Sequence, residues 1–176
     1  MHKITNSGWV EVITGCMFSG KTEELLRRLR RAEIADQEVA VFKPDLDDRY
    51  GEDTVGTHNG RSWAARKVEP DDEGVWAIPD SLNGEEVVAV DEANFFADEL
   101  VAVCNHLAND GRRVIVSGTD QTFRGEPFDP LPQLVSMAEY VEKFRAICAN
   151  CGEPATRNQR LIEGEPAHVD DPTILV

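Results

Sequence analysis

The stretch Gly15-Cys-Met-Phe-Ser-Gly-Lys-Thr22 (GCMFSGKT) decides the fold of this 176-residue chain. It matches the pattern GxxxxGK[ST] without a gap, between an apolar run, WVEVITG (9–15), and an amphipathic segment that runs from Thr22 to about residue 35. We therefore predict a strand, a phosphate-binding loop and a helix, in which Lys21 supplies a cation to phosphates and Thr22 a hydroxyl to Mg²⁺. This motif predicts binding of ATP or GTP. The loop backbone that would surround the phosphates comprises Gly15, Cys16, Met17, Phe18, Ser19 and Gly20.

Strand-like and helix-like segments alternate along the rest of the first 118 residues. The runs EVAVFK (38–43), EVVAVD (86–91) and RVIVSG (113–118) are apolar enough for buried parallel strands. Residues 97–109 carry apolar side chains at helical spacing, which predicts a helix. This alternation predicts an α/β fold: a parallel sheet of the P-loop (RecA-like) class, flanked by helices.

The strand predicted over EVVAVD (86–91) ends in two acids, Asp91 and Glu92. An acid at the carboxyl edge of a parallel strand reaches the crevice where ligands of α/β proteins bind. Asp91 would hold Mg²⁺, and Glu92 would take a proton from the attacking nucleophile. That nucleophile is water in an ATPase and a substrate hydroxyl in a kinase, so both classes stay open here. A guanine-specifying NKxD motif is absent from the sequence, which disfavours a GTPase.

The chain is strongly acidic, with 18 Lys and Arg against 33 Asp and Glu and a formal charge of −15. This balance argues against a nucleic-acid partner, because phosphate backbones need a basic footprint. It suits high salt, which screens self-repulsion, so we expect a salt-loving source. No apolar run reaches the ~18 residues of a membrane span, and no signal peptide is visible at the start. We therefore expect no membrane partner and a cytoplasmic location.

The pattern changes near residue 145, where a second unit is predicted to begin. We expect a nucleotide-binding domain over 1–145 and a small domain over 146–176. The pair Cys148 and Cys151 has the CxxC spacing of half a structural zinc site, which needs four ligands. Unliganded or redox-active thiols are the alternative for this pair.

Further segments occur together in one order: KPDLDDRY (43–50) with THNG (57–60), DEANFF (91–96), DQTFRGEPF (120–128) and CANCGEPATRNQRLI (148–162). With the phosphate loop they resemble the zinc-containing thymidine kinases of the cellular and bacterial type, over residues 8 to 176. The resemblance implies transfer of the γ-phosphate of ATP to the 5′-hydroxyl of thymidine, with ATP, Mg²⁺ and a structural Zn²⁺. An ATPase or ATP-gated switch, in which Glu92 activates water, is the alternative.

The resemblance also implies roles for single residues. Glu92 would be the general base and Arg49 would neutralise charge on the transferring group. Asn94 stands where the family commonly has Gln, which keeps an amide but shortens its reach. Thr119 stands where the family often has Leu, and we expect this smaller, polar residue to loosen selectivity for thymine. Lys21, Thr22, Asp47 and Asp91 would serve phosphates and Mg²⁺, with Ala93 and Asn94 beside them. The thymine pocket would be lined by Met17, Phe95, Thr119, Phe123 and Phe128.

The resemblance further implies a homotetramer, feedback inhibition by dTTP and a zinc-knuckle or lasso lid over 146–176. The family completes its zinc site with a second CxxC or CxxH pair, and the sequence reaches Val176 before any such pair. We therefore expect either that the lid continues past Val176 or that it is incomplete. An ATP-binding remnant that lacks its lid is a third possibility.

Overall fold

A computed structural model describes residues 8–46, 54–56 and 62–171 of the chain. A six-stranded sheet forms its centre, with helices on both faces. In chain order the elements are β1 (Trp9–Gly15), α1 (Lys21–Ile34), β2 (Val39–Pro44), β3 (Thr54–Gly56), β4 (Ser62–Ala64), β5 (Arg66–Val68), α2 (Asp72–Asp80), β6 (Val87–Val90), a 3₁₀ turn (Ala93–Phe95), α3 (Leu100–Asn109), β7 (Arg113–Gly118), α4 (Leu131–Met137), β8 (Tyr140–Phe144), β9 (Ala146–Ile147), β10 (Pro154–Ala155), β11 (Leu161–Ile162) and β12 (Glu165–Pro166).

The strands of the central sheet run in the order β5-β2-β6-β7-β1-β8, and every neighbouring pair is parallel. The four strands predicted from the sequence are therefore confirmed, as is the parallel α/β fold. Because the strands are parallel, the carboxyl ends of β6, β7 and β1 lie side by side at one edge of the sheet. That edge receives the phosphate loop after β1 and the Asp91–Glu92 pair after β6.

The two faces of the sheet bury separate apolar cores. Helix α1 covers one face, where its leucines pack against Ile13 of β1 and Ile115 of β7. Helices α2, α3 and α4 cover the other face, against alternate valines of β1, β6 and β7. Residues two apart in a strand lie on the same face of the sheet. The core that a buried residue enters therefore tells which face its neighbours at the carboxyl edge lie on. No helix in the described ranges is long and apolar enough to span a membrane.

Among the helices and the strands of the central sheet, four elements lack a clear signal in the sequence: β5, α2, α4 and β8. Helix α2 contains Gly74 and Pro79, which mask its periodicity, and it is capped by the Asp71 side chain, which accepts from the Gly74 N–H at 2.8 Å. Strand β8 is an edge strand whose residues 140–143 are exposed, so it shows no apolar run. Helix α3 begins at Leu100, three residues later than predicted, and the Ala97 N–H before it donates to the Pro70 carbonyl at 2.7 Å.

A buried ionic network joins β1, β7 and α1 on the face that α1 covers. The carboxylate of Glu11, whose side chain is 7% exposed, accepts from Arg28 at 2.8 Å and from Arg113 at 2.6 Å. The Trp9 Nε1–H donates to the same carboxylate at 2.7 Å. Burial alone would raise the pKa of Glu11, but the bonds from Arg113, Trp9 and Arg28 together lower it.

We predict that Glu11→Ala lowers the free energy of unfolding by about 3 kcal/mol, because it removes the buried carboxylate that binds both Arg28 and Arg113. Glu142→Ala is the matched control: its carboxylate contacts the same Arg28 at 2.6 Å, yet its side chain is 51% exposed. The control should lose less than about 1 kcal/mol in urea unfolding at pH 7.

The lowered pKa of Glu11 predicts how the difference in unfolding free energy between wild type and Glu11→Ala depends on pH. A lowered pKa adds stability that is fully present above the ordinary value of 4.5 and is lost as the pH falls through the lower folded value. The gap between wild type and Glu11→Ala should therefore narrow in acid. Equal losses for Glu11→Ala and Glu142→Ala would refute the role given to this network.

Candidate active site

The loop between β1 and α1 adopts the backbone that the phosphate-loop motif requires. Gly15 has a φ of 146°, and a Cβ built there would lie 2.5 Å from the Phe144 carbonyl oxygen, so no larger residue fits. Gly20 and Phe18 both adopt left-handed backbone, with φ of 94° and 59°. The Lys21 Nζ reaches back over the loop and donates to the Cys16 carbonyl at 2.9 Å. The loop thus curls around the start of a 14-residue helix, where phosphates bind most readily.

Strand periodicity directs three polar residues towards the same side as α1. Val90, Phe42 and Val116 point into the core under α2 and α3. Their neighbours at the carboxyl edge, namely Asp91, Lys43 and Ser117, therefore face the side of α1 and the phosphate loop. Asp91 and Lys43 are held in register, because the Asp91 N–H donates at 2.9 Å to the carbonyl of Phe42, the residue before Lys43.

Opposite charges meet in this crevice. Burial lowers the pKa of Lys21, and the negative charges of Asp91, Asp120 and Glu92 oppose that shift. For Asp91 the directions are reversed: burial raises the pKa, and the neighbouring Ser117 hydroxyl and Lys21 oppose that rise. A buried carboxylate beside a lysine is stabilised by a further cation, so the donor set of Asp91 and Thr22 fits Mg²⁺.

Glu92 combines strained backbone with a perturbed carboxyl. Its φ of 52° and ψ of 41° are left-handed, a conformation that costs a non-glycine residue about 1 kcal/mol. Its side chain stays exposed to the crevice. Even so, loss of hydration raises its pKa, the charge of Asp91 raises it further, and Lys43 and Lys21 oppose the shift. A carboxyl with a raised pKa that faces a crevice is suited to general base catalysis.

Asn94 joins the turn after β6 to the end of β7. Its side-chain oxygen accepts from the Thr119 N–H at 2.9 Å, and Asn94 itself is buried. Ala93 is buried beside it, and a Cβ on Gly118 would lie 3.3 Å from the Ala93 nitrogen and 3.2 Å from the Asn94 side-chain oxygen. Asn94, which the sequence assigns to the nucleotide site, thus holds its amide oxygen on the backbone of Thr119.

The aromatic residues expected in the thymine pocket lie on this turn and on the loop of residues 119–130. The rings of Phe95 and Phe128 meet edge to face, with centroids 6.1 Å apart. The Phe123 ring instead lies against two guanidinium groups, those of Arg124 at 5.6 Å and Arg160 at 5.5 Å. Met17 is 56% exposed on the phosphate loop. The structure therefore brings Phe95 and Phe128 together and places Phe123 beneath the C-terminal segment.

Several polar atoms around this crevice are buried without a hydrogen-bond partner in the described part of the chain. They include the Ser19 hydroxyl, the Asp120 Oδ1 and the Gln121 Oε1. Buried polar atoms in proteins usually have a partner, so these atoms are available to a ligand, an ion or water. Two further predicted residues, Asp47 and Arg49, lie outside the described residues.

The cysteine pair lies at the turn between β9 and β10. The Cys148 N–H donates to the Glu153 carbonyl at 2.8 Å, and the Gly152 N–H returns to the Cys148 carbonyl at 2.9 Å. Hydrogen bonds from the N–H groups of Cys151 and Asn150 lower the pKa of the Cys148 thiol. A favoured thiolate is what zinc binds, so the pair fits two of four ligands. Within the described residues no third His, Cys, Asp or Glu joins them.

Sequence reasoning missed three residues of this region. Lys43 follows the apolar run of β2, and a charged residue at the carboxyl end of a buried strand was the available signal that it belongs to the site. Ser117 lies at the carboxyl edge of β7, where strand alternation indicates the side it faces. Asn158, whose side chain accepts from the Met17 N–H at 2.8 Å, has no local signal because its partner lies 141 residues away.

The fold and this site define a P-loop nucleotide-binding protein, with a phosphate loop after the first strand and an Asp–Glu pair two strands away. A sequence-family model described as thymidine kinase matches residues 8–174. The chain therefore belongs to the thymidine kinase family.

Curated relatives carry the same name. A protein of Halobacterium salinarum named thymidine kinase is 76% identical over 176 residues, which are all of this chain and 90% of the relative. One of Haloquadratum walsbyi, also named thymidine kinase, is 59% identical and is covered to 92%. Among solved structures, that of the Legionella pneumophila ATPase DotB matches with a TM-score of 0.45 at 18% identity, over 76% of this chain and 35% of that one. No inference about activity follows from that last likeness.

We predict that Lys21→Ala reduces ATP-dependent phosphoryl transfer on the order of 10³-fold while the fold stays intact, because a cation on the β- and γ-phosphates is lost. Arg27→Ala is the control: this cation lies on the same helix, is 59% exposed and pairs with Glu24. Steady-state turnover should be near normal in the control. Near-normal turnover of Lys21→Ala would overturn the assignment of the phosphate loop.

Proposed function

We propose that this chain is a thymidine kinase that transfers the γ-phosphate of ATP to the 5′-hydroxyl of thymidine, giving dTMP and ADP. The observation that carries the proposal is the placement of Asp91 and Glu92 beside Lys21, at the edge of the sheet that also receives the aromatic pair of Phe95 and Phe128. Membership of the thymidine kinase family supports the same activity. The enzyme is then a phosphotransferase with an alcohol acceptor.

In this proposal Glu92 accepts the proton of the 5′-hydroxyl as its oxygen attacks the γ-phosphorus. The bond from that phosphorus to the bridging oxygen of ADP breaks in line with the attack. Lys21, with Arg49, stabilises the charge that develops on the transferring group. The raised pKa of Glu92 favours this task, because its carboxylate is a better proton acceptor than an ordinary one.

Mg²⁺, where bound, neutralises charge on the β- and γ-phosphates. The Thr22 hydroxyl and the carboxylates of Asp91 and Asp47 are its proposed ligands. Gly15 to Gly20 would surround the phosphates with backbone N–H groups. Ala93 and Asn94 would border the nucleotide from the turn after β6, since Asn94 already fixes this turn to Thr119.

Thymine is proposed to lie among the aromatic residues of the turn and of the loop at 119–130. The Phe95 and Phe128 rings offer apolar surface that a flat base can pack against. Met17, Thr119 and Phe123 would complete this pocket. The polar side chain of Thr119, at a position where the family often has Leu, suggests a looser choice among pyrimidines.

The proposal also covers the C-terminal region, the oligomeric state, the regulation and the location of the protein. Residues 146–176 would form a zinc-knuckle or lasso lid after a nucleotide-binding domain of residues 1–145. We further propose a homotetramer, feedback inhibition by dTTP and action in the cytoplasm, in nucleoside salvage for DNA synthesis. Nucleic acid is not a proposed partner, because the chain carries a charge of −15.

We predict about one zinc per chain in the complete protein, held partly by Cys148 and Cys151, since one structural site binds one ion. Cys148→Ser should release the metal and loosen residues 146–176 without melting the sheet. Asn150→Ser is the control, because it lies in the same turn and keeps both thiols. Elemental analysis that finds no metal in freshly purified complete protein would refute the zinc site.

We predict that Glu92→Gln leaves the ATP dissociation constant nearly unchanged and lowers kcat for thymidine by roughly 10²- to 10⁴-fold. Gln keeps the size and hydrogen bonding of Glu but cannot accept a proton. The control is Glu33→Gln, the same change at an exposed position near the end of α1.

The same assay separates the kinase from the ATPase alternative. In a kinase, wild-type ATP turnover is slow alone and rises when thymidine is added. In an ATPase that uses Glu92 to activate water, wild-type turnover is fast alone and the variant traps ATP. Brisk turnover that is indifferent to thymidine would contradict the proposed function.

A further inference from the structure

A short C-terminal segment, residues 155–160, is attached to the first half of the phosphate loop. The Asn158 side-chain oxygen accepts from the Met17 N–H at 2.8 Å. The Cys16 thiol donates to the Ala155 carbonyl at 3.4 Å. Two consecutive loop residues are thus held by one segment that lies about 140 residues further along the chain. We call residues 155–160 the bridging segment.

The bridging segment also contacts the loop of residues 119–130. The Arg160 guanidinium lies 5.5 Å from the centre of the Phe123 ring. Arg157 packs over Gly125, where an added Cβ would lie 2.9 Å from the guanidinium carbon. Arg124 of that loop in turn donates to the Asp171 carbonyl at 2.8 Å. One segment therefore contacts both the phosphate loop and the loop that carries three proposed thymine contacts.

The bond from Met17 to Asn158 is the most specific of these contacts. A phosphate loop works through the direction of its N–H groups, so a side chain that takes one of them fixes the loop backbone at that residue. Met17 is also the loop residue proposed to reach the nucleoside. Its orientation thus depends on Asn158, and the position of Asn158 depends on how Arg157 and Arg160 sit on the second loop.

We propose that Asn158 is a positioning residue that couples nucleoside binding to ATP binding by holding Met17. The inference rests on the proposed function, since it takes thymidine and ATP as the two ligands. A nucleoside that orders the loop of residues 119–130 also orders the bridging segment, and through Asn158 the phosphate loop. Each ligand then lowers the ordering cost of the other, which gives positive and reciprocal coupling. One neutral hydrogen bond corresponds to coupling of about 5-fold.

The test measures that coupling as a ratio. The dissociation constant of the imido analogue of ATP, with Mg²⁺, is measured with and without saturating thymidine. Thymidine should tighten binding about 5-fold in wild type and hardly at all in Asn158→Ala, because the acceptor of the Met17 N–H is gone. Binding of the analogue alone should change less than about 2-fold, since its phosphates keep their own contacts. The thymidine KM should rise in Asn158→Ala with kcat nearly constant.

Two further variants make the result specific. Asn158→Asp keeps an acceptor oxygen at the same place, and the ratio cancels the effect of its added charge on ATP binding, so coupling should return. Gln159→Ala removes the neighbouring carboxamide, which is exposed and donates to the adjacent Arg160 carbonyl at 3.3 Å. In this control thymidine should tighten binding of the ATP analogue as much as in wild type. Loss of coupling in Gln159→Ala, or no recovery in Asn158→Asp, would overturn a role specific to Asn158.

Amide hydrogen exchange at Met17 gives a readout that needs no nucleoside. Exchange should be faster in Asn158→Ala than in wild type and unchanged in Gln159→Ala. Unchanged exchange or undiminished coupling in Asn158→Ala would refute the inference and leave the proposed kinase activity standing. A wild type that phosphorylates thymidine without coupling would do the same. A wild type that neither binds nor phosphorylates thymidine would instead overturn the proposed function itself.

Discussion

The phosphate loop must turn β1 into α1 within the five residues 16–20 while the N–H groups at the start of α1 stay available to an anion. That constraint requires left-handed backbone at Gly20, and a residue without a side chain at Gly15, where the Phe144 carbonyl oxygen lies 2.5 Å from the place of a Cβ. The end of β8 therefore packs directly against the start of the loop. The central sheet fixes the loop from below, and the other parts of the crevice are positioned relative to it.

The charges of the crevice oppose the charge of the whole chain. A chain of net charge −15 offers no overall attraction to nucleotides, so the phosphates must be held by local groups. Lys21 and Lys43 supply positive charge at the carboxyl edge, and both offset the carboxylates of Asp91 and Glu92. Bound metal would add to this local charge. The arrangement suits phosphoryl transfer, in which positioning and charge stabilisation contribute most of the rate enhancement.

Local sequence patterns predicted much of this fold and part of the site. Strands β1 and β7 match their predicted bounds, because continuous apolar runs and flanking glycines mark buried strands. Strand β8 and helix α2 were missed, since an exposed edge strand and a helix with Pro79 lack periodicity. The left-handed backbone of Glu92 and the bond from Met17 to Asn158 depend on tertiary packing, which leaves no local pattern. The roles proposed for single site residues stay predictions.

In the proposed kinase the crevice directs phosphate to a nucleoside hydroxyl and not to water. The most direct measurement follows the label of γ-labelled ATP in the presence and absence of thymidine. We expect the label to appear in thymidine 5′-monophosphate in proportion to the ADP formed, and little ATP to be consumed without thymidine. Label that appears as inorganic phosphate at the same rate with and without thymidine would contradict this proposal.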